Sequence, residues 1–279
     1  TASGGRPAAL EQYGTLKGMA LPLLNFPFGL LGSLAVLLMP EITQAHIEGQ
    51  TARLNALLDR MLRLTGYFSM LAGTLFWVWG RPLAQLLYHS PEAGFYLETL
   101  APAMPLMYLE SMVDGAMKGI GEQKAAFRYS VWDAVLRIGG VAVLLPRYGM
   151  RGFLTVILLS SFYTCAANTG RLLLSSGTGH AVRRWRGAPL LAAAAAGAAG
   201  RGVRRALAGF PAQGLPGQLA VLTVGGTVTV LVFLLAALPP GVLGEQSAGG
   251  GAGNGLWEEL RAVLRQAKTG KKQGKVIKT

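Results

Sequence analysis

The sequence predicts an all-α integral membrane protein of about six or seven hydrophobic helices, counted as apolar stretches of spanning length. Three observations predict it. Apolar residues make up 51% of the 279 positions and charged residues only 14%, and the mean hydropathy is +0.39, a balance foreign to a water-soluble domain of this size. Charge-poor runs long enough to cross a bilayer recur along the chain. No alternation of strand and helix patterns accompanies them, which removes an α/β reading.

The first run, residues 18–40, carries no charge and contains Pro22, Pro27, Gly29 and Gly32. A spanning helix there has to bend, because proline and glycine free backbone groups that neighbouring helices or cavity water must satisfy. Asn25 lies at that bend. After Glu41, Leu54, Leu57, Leu58, Met61 and Leu62 recur at helical spacing opposite Asn55, Asp59, Arg60 and Arg63, an amphipathic helix expected to lie at the interface. It leads into a second span, residues 64–80, where Trp77 and Trp79 suit an aromatic belt, before Arg81 and a turn near His89-Ser90-Pro91.

The third span, residues 96–120, is the most polar: it holds Glu98, Glu110, Asp114 and Lys118, and Pro102 and Pro105 interrupt its first half. A fourth, residues 129–146, contains Asp133 and Arg137. A tight turn at Arg147-Tyr148-Gly149 starts the fifth, residues 152–170, which ends at a loop with Arg171, Arg183, Arg184 and Arg186. The Ala-rich residues 188–200 are of marginal length for a sixth crossing, and Arg201, Arg204 and Arg205 close them. Residues 217–244 form the last apolar run. A Gly-rich linker, a short amphipathic helix over 256–266 and a tail with Lys268, Lys271, Lys272, Lys275 and Lys278 follow. The implied division is a helical bundle over 1–187, added spans over 188–244, and a linker with a basic tail over 245–279. Without an initiator Met or a signal-peptide pattern at Thr1, the chain reads as part of a longer protein.

A net charge of +13 and a pI near 10.3 could indicate nucleic acid, but the cations sit in alternate loops instead of on one soluble face interleaved with aromatics. The positive-inside rule then places the loops before Leu64, after Ile120 and after Gly170, with the tail, in the cytoplasm of a multi-pass plasma-membrane protein. Arg201, Arg204 and Arg205 run against that assignment unless the sixth segment re-enters. The tail is expected to attract anionic lipid at about 1 kcal/mol per cation near the surface. Cys165 stands alone, and His46, His89 and His180 fall in no ligand spacing, so neither a metal nor another cofactor is expected. No Ser-His-Asp set or phosphate loop argues for an enzyme.

Ionisable groups inside a span cost about 2.5 to 3.5 kcal/mol each to insert, so they face partners or water. Glu110, Asp114 and Lys118 are spaced i, i+4, i+8 on one face of the third span, and Asp133 and Arg137 are i, i+4 on the fourth. One reading makes this seam the wall of a central path, with Arg137 and Lys118 open to an anionic headgroup and the carboxylates open to protons or cations. The other closes it as a salt-bridge network, Arg137 neutralised by Asp133 with Glu110 or Asp114 and Lys118 reaching to the interface. Asn25 offers an amide either to a ligand or to a neighbouring helix. Tyr108, Trp77 and Trp79 read as packing or belt residues.

The stretch from Tyr13-Gly-Thr-Leu-Lys-Gly to Leu24-Asn-Phe-Pro, then Leu38-Met-Pro-Glu-Ile-Thr-Gln-Ala, Leu100-Ala-Pro-Ala-Met-Pro, Asp114-Gly-Ala-Met-Lys-Gly-Ile-Gly-Glu-Gln and Pro146-Arg-Tyr-Gly-Met-Arg-Gly resemble, in order, the second half of the stage V sporulation protein B family. That resemblance covers roughly residues 10–175. It implies a polysaccharide-export flippase built from two helical bundles, of which this chain supplies the second, with the lipid bilayer, a lipid-linked saccharide and the missing N-terminal bundle as partners. It also implies diphosphate contacts for Arg137 and Lys118. A cation-coupled multidrug antiporter of the related branch and a non-transporting membrane scaffold in envelope or spore assembly are the alternatives.

Overall fold

Every described element is helical, the arrangement that satisfies backbone polar groups within one segment when no water is at hand. The computed structural model describes residues 5–176, 187–207 and 215–237. Arg183, Arg184 and Arg186, the end of the last apolar run, the linker, the helix expected over 256–266 and the lysine tail lie outside the described residues.

The first helix, α1 (Gly5–Thr15), passes through a π-helical turn at Leu16–Ala20 into α2 (Leu21–Asn25) and bends into α3 (Phe28–Ile47). Pro27 has no N–H to give, and the ladder tightens around it. Gly29 N–H reaches the Phe26 carbonyl and Leu30 N–H the Pro27 carbonyl, both at 3.1 Å. In a straight helix the Leu24 carbonyl would accept from residue 28; here it accepts the hydroxyl proton of Tyr108. Tyr108 is 2% exposed, and its ring lies 5.2 Å from that of Phe28. The bend expected from the prolines is present, and Tyr108 does more than pack: it satisfies the carbonyl that the bend releases.

After a turn at Gly49, α4 (Thr51–Tyr88) runs unbroken for 38 residues, about 57 Å at 1.5 Å per residue. This corrects the expected interfacial helix. Its apolar stripe, Leu54, Leu57, Leu58, Met61 and Leu62, packs with Ile42, Met112, Val113 and Met117, so the amphipathic face meets protein and continues into the rest of α4 without a break. His89 ends α4 in a left-handed conformation, and the Ser90 hydroxyl caps α5 (Pro91–Leu100) by accepting from Ala93 N–H at 3.2 Å. A 3-10 turn at Ala101–Ala103 separates α5 from α6 (Met104–Gly119), the break expected from Pro102 and Pro105.

α7 (Gln123–Ser176) folds back on itself at Gly149, whose φ of 58° and ψ of −141° suit a residue without Cβ. Its two antiparallel arms correspond to the fourth and fifth predicted spans. Two further helices, α8 (Gly187–Leu207) and α9 (Leu215–Ala237), form an antiparallel pair on α4: Ala192, Ala196 and Phe233 pack with Tyr67, Met70 and Leu71. Trp79 is buried in that contact rather than set in a belt. Its Nε1–H donates to Thr229 Oγ1 at 3.0 Å, and a Cβ on Gly225 would lie 2.0 Å from its ring. α8 also extends past residue 200, so Arg201, Arg204 and Arg205 occupy its last two turns instead of closing it.

Three described helices are long and apolar enough to cross a membrane: Phe28–Ile47, Gln123–Ser175, which is folded at Gly149, and Gly217–Ala237. The chain is a membrane protein on that length and composition. The α3–α4 turn, the α6–α7 turn and Leu172 meet at one end of the bundle around Leu54, Leu57, Ile120 and Ala125. Leu16, Ala84, Ala93, Leu97 and Leu154 gather at the other.

Candidate functional site

Helical spacing brings the α6 side chains into line, and α7 places its own ion pair opposite them. Lys118 Nζ contacts Asp114 Oδ2 at 2.6 Å, and Arg137 Nη2 contacts Asp133 Oδ2 at 3.0 Å; both pairs are i, i+4 within one helix. Glu110 lies within electrostatic reach of Asp133, Arg137 and Asp114. The five ionisable residues therefore share one neighbourhood, as their spacing implied. Asn25 does not join them: it is exposed, and no hydrogen bond ties it to the seam among the described residues.

The second arm of α7 completes the α7 half of the site. Ser160 Oγ donates to Asp133 Oδ1 and accepts from Arg137 Nη2 at 2.7 Å and Nε at 3.2 Å. Thr164 Oγ1 lies 3.2 Å from the same Asp133 oxygen and 2.6 Å from the Ser160 carbonyl. Sequence reasoning missed both hydroxyls. The signal was there: Ser160 and Thr164 repeat the i, i+4 spacing of Asp133 and Arg137 at matching distances on the far side of the Gly149 turn.

The closed network expected as one alternative is thus half realised. Arg137 is neutralised by Asp133, but its second partner is a serine and not Glu110 or Asp114. Glu110 makes no hydrogen bond or ion pair among the described residues. Three carboxylates face two cations, and each cation is already engaged on its own helix. The Arg137 and Lys118 side chains remain 50% and 59% exposed, so the seam has an open side. A separate cleft of about 360 Å³, lined by Gln12, Glu92, Phe95, Tyr96, Met150 and Arg151, contains none of the seam residues.

Comparison with known proteins bears on this arrangement. No family model matches the chain. Over 169 residues it is 30% identical to the sporulation protein YkvU of Bacillus subtilis (strain 168), a match spanning 61% of this chain and 36% of that protein. Over 140 residues it is 26% identical to stage V sporulation protein B of the same organism, across 50% of this chain and 27% of that protein. The chain is a relative of Bacillus sporulation proteins. The resemblance to stage V sporulation protein B read from its motifs holds. The matches extend over roughly a third of the length of these curated relatives.

Proposed function

We propose that the chain forms one lobe of a flippase that moves a lipid-linked oligosaccharide or polysaccharide precursor across the cell membrane in envelope or spore-wall biosynthesis. The observation that carries this reading is the seam of Glu110, Asp114, Lys118, Asp133 and Arg137, ionisable groups set among apolar helices with one side open. In this reading the chain contributes about six or seven spans, the second of two bundles, with the Glu122 end and the tail in the cytoplasm. Rocking of the two lobes would carry the polar headgroup past the seam while its lipid tail stays in the bilayer.

The test is flipping of a fluorescent undecaprenyl-diphosphate saccharide in liposomes holding the complete transporter. Arg137→Ala and Lys118→Ala, each checked for folding, should slow flipping more than about tenfold, the scale of one lost charge-assisted contact. Flipping at the parent rate in both variants would sink the headgroup path.

One observation favours a second reading, cation-coupled export. Glu110 is a carboxylate without a bonded partner, beside cations that are already paired, and such a group suits a proton or sodium ion better than an anionic substrate. Export that depends on a sodium or proton gradient in the parent and loses that dependence in Glu110→Gln would select this reading.

A further inference from the structure

Glu98 of α5 sits between two guanidinium groups from different helices. Arg81 Nε of α4 contacts its Oε2 at 2.8 Å, and Arg204 Nη1 of α8 contacts its Oε1 at 3.1 Å. The same Arg204 nitrogen donates to the Val78 carbonyl at 2.7 Å. One turn earlier, Arg201 lies over Trp77 with its Cζ 3.5 Å from the ring centroid. Arg205 shares the Arg201 face of the helix at i, i+4.

Two arginines thus share one carboxylate, and two more lie within a turn of Arg204 on α8. Glu98 serves Arg81 and Arg204, whereas Arg201 and Arg205 are exposed and have no hydrogen bond or ion pair among the described residues. The Trp77 ring holds the Arg201 guanidinium in place without taking an N–H donor in a hydrogen bond, so those donors are open to a phosphate. The composition of α8 changes at the same point. Residues 188–200 of α8 carry no charge, the arginines begin at the next residue, and Trp77 stands beside them. An apolar helix that gives way to Trp and Arg reaches the headgroup layer there.

We propose that Arg81, Arg201, Arg204 and Arg205, walled by Trp77, form a binding site for the phosphate of an anionic phospholipid headgroup. Exposed Leu231 and Leu235 of α9, level with the uncharged part of α8, offer the acyl chains an apolar surface. The site is independent of transport: it requires only that α4, α8 and α9 lie in a bilayer.

The experiment is a lipid titration of the delipidated 279-residue chain in detergent, read by native mass spectrometry, with phosphatidylglycerol, phosphatidylcholine and inorganic phosphate as separate probes. The variant is Arg201→Gln with Arg205→Gln, which spares both contacts to Glu98. Lys124→Gln with Arg128→Gln, at the opposite end of the bundle, matches its change in charge. Thermal unfolding verifies that each variant is folded, and the lysine tail sets the same baseline in all of them. Phosphatidylglycerol should bind in preference to phosphatidylcholine and weaken by about fivefold for each charge removed from α8. The Lys124 and Arg128 pair should bind like the parent, and excess inorganic phosphate should not displace the lipid. Equal loss in the two double variants, unchanged binding in the α8 variant, or equal binding of phosphatidylcholine would overturn the site. Displacement by inorganic phosphate would overturn the lipid assignment in favour of a free phosphoryl anion.

Discussion

Among the described residues, two arginine–carboxylate clusters among apolar helices are built in opposite ways. At Glu98 a single carboxylate joins α4, α5 and α8, and both of its oxygens accept from a guanidinium on another helix. At the seam each ion pair stays within its own helix, and the strongest link between the arms of α7 is a hydroxyl, Ser160. The first cluster holds helices together. The second leaves Glu110 unbonded among charges that could repair with a ligand or with one another. Cross-helix pairing reads as architecture, and intrahelical pairing with a spare carboxylate reads as a site that can change state.

The largest expected effect lies in the Glu98 cluster. Glu98→Ala leaves Arg81 and Arg204 without the intervening charge, and stability should fall by about 3 kcal/mol, the low end for two charge-assisted hydrogen bonds because both arginines are about half exposed. Thermal unfolding in detergent measures it; a shift no larger than that of an exposed ion pair would erase the distinction between the two clusters. Next is the contact that seats α9. Gly225→Ala drives a methyl group into the Trp79 ring, with a contact of 2.0 Å to relieve, and should cost about 2 kcal/mol as an overpacked core does. Gly226 has nothing within 4 Å of an added Cβ, so Gly226→Ala should match or exceed the parent, by up to about 1 kcal/mol from helix propensity. Equal behaviour of the two alanine variants would mean that Trp79 does not fix α9 in place.

Within the seam the effects should be smaller. Ser160→Ala removes one of the hydroxyl bridges between the arms of α7 but leaves Thr164 and the Asp133–Arg137 pair in place, so the loss should be about 1 kcal/mol. Hydrogen exchange over residues 129–140 should rise at the same time. A loss as large as that of Glu98→Ala would make Ser160 an architectural cross-link and the seam a second clamp.

How much of this was legible follows from the range of each interaction. Pro22 and Pro27 announced the bend, Pro102 and Pro105 the break before α6, and Arg147-Tyr148-Gly149 the hairpin, because proline and glycine act on their immediate backbone. The i, i+4 spacing within α6 and within α7 was equally local. Tyr108, Trp79 and Arg204 were not legible, since each is defined by a partner between 84 and 150 residues away. Periodicity sees an aromatic or a cation on a face but not the carbonyl, hydroxyl or carboxylate opposite it. What covers the stripe from Leu54 to Leu62 was hidden for a related reason: a row of leucines looks the same whether lipid or α3 and α6 cover it. Ser160 and Thr164 stand between these cases, because the predicted turn fixed the register of the two arms.

The smallest expected effect discriminates most sharply. Glu110 faces the Asp114 and Asp133 carboxylates as well as Arg137, and no bond of its own holds it. Glu110→Gln keeps the shape, removes one of three neighbouring negative charges and leaves both ion pairs in place. Stability should therefore stay within about 0.5 kcal/mol of the parent, the ordinary range for substitutions that break no named contact. A gain would show that like-charge repulsion outweighs the attraction of Arg137. A fall of about 2 kcal/mol, the cost of stranding a charged group, would mean that Glu110 is what keeps Arg137 neutralised. The seam would then be closed in the same sense as the Glu98 cluster, and a transporter reading of it would lose its carrying observation.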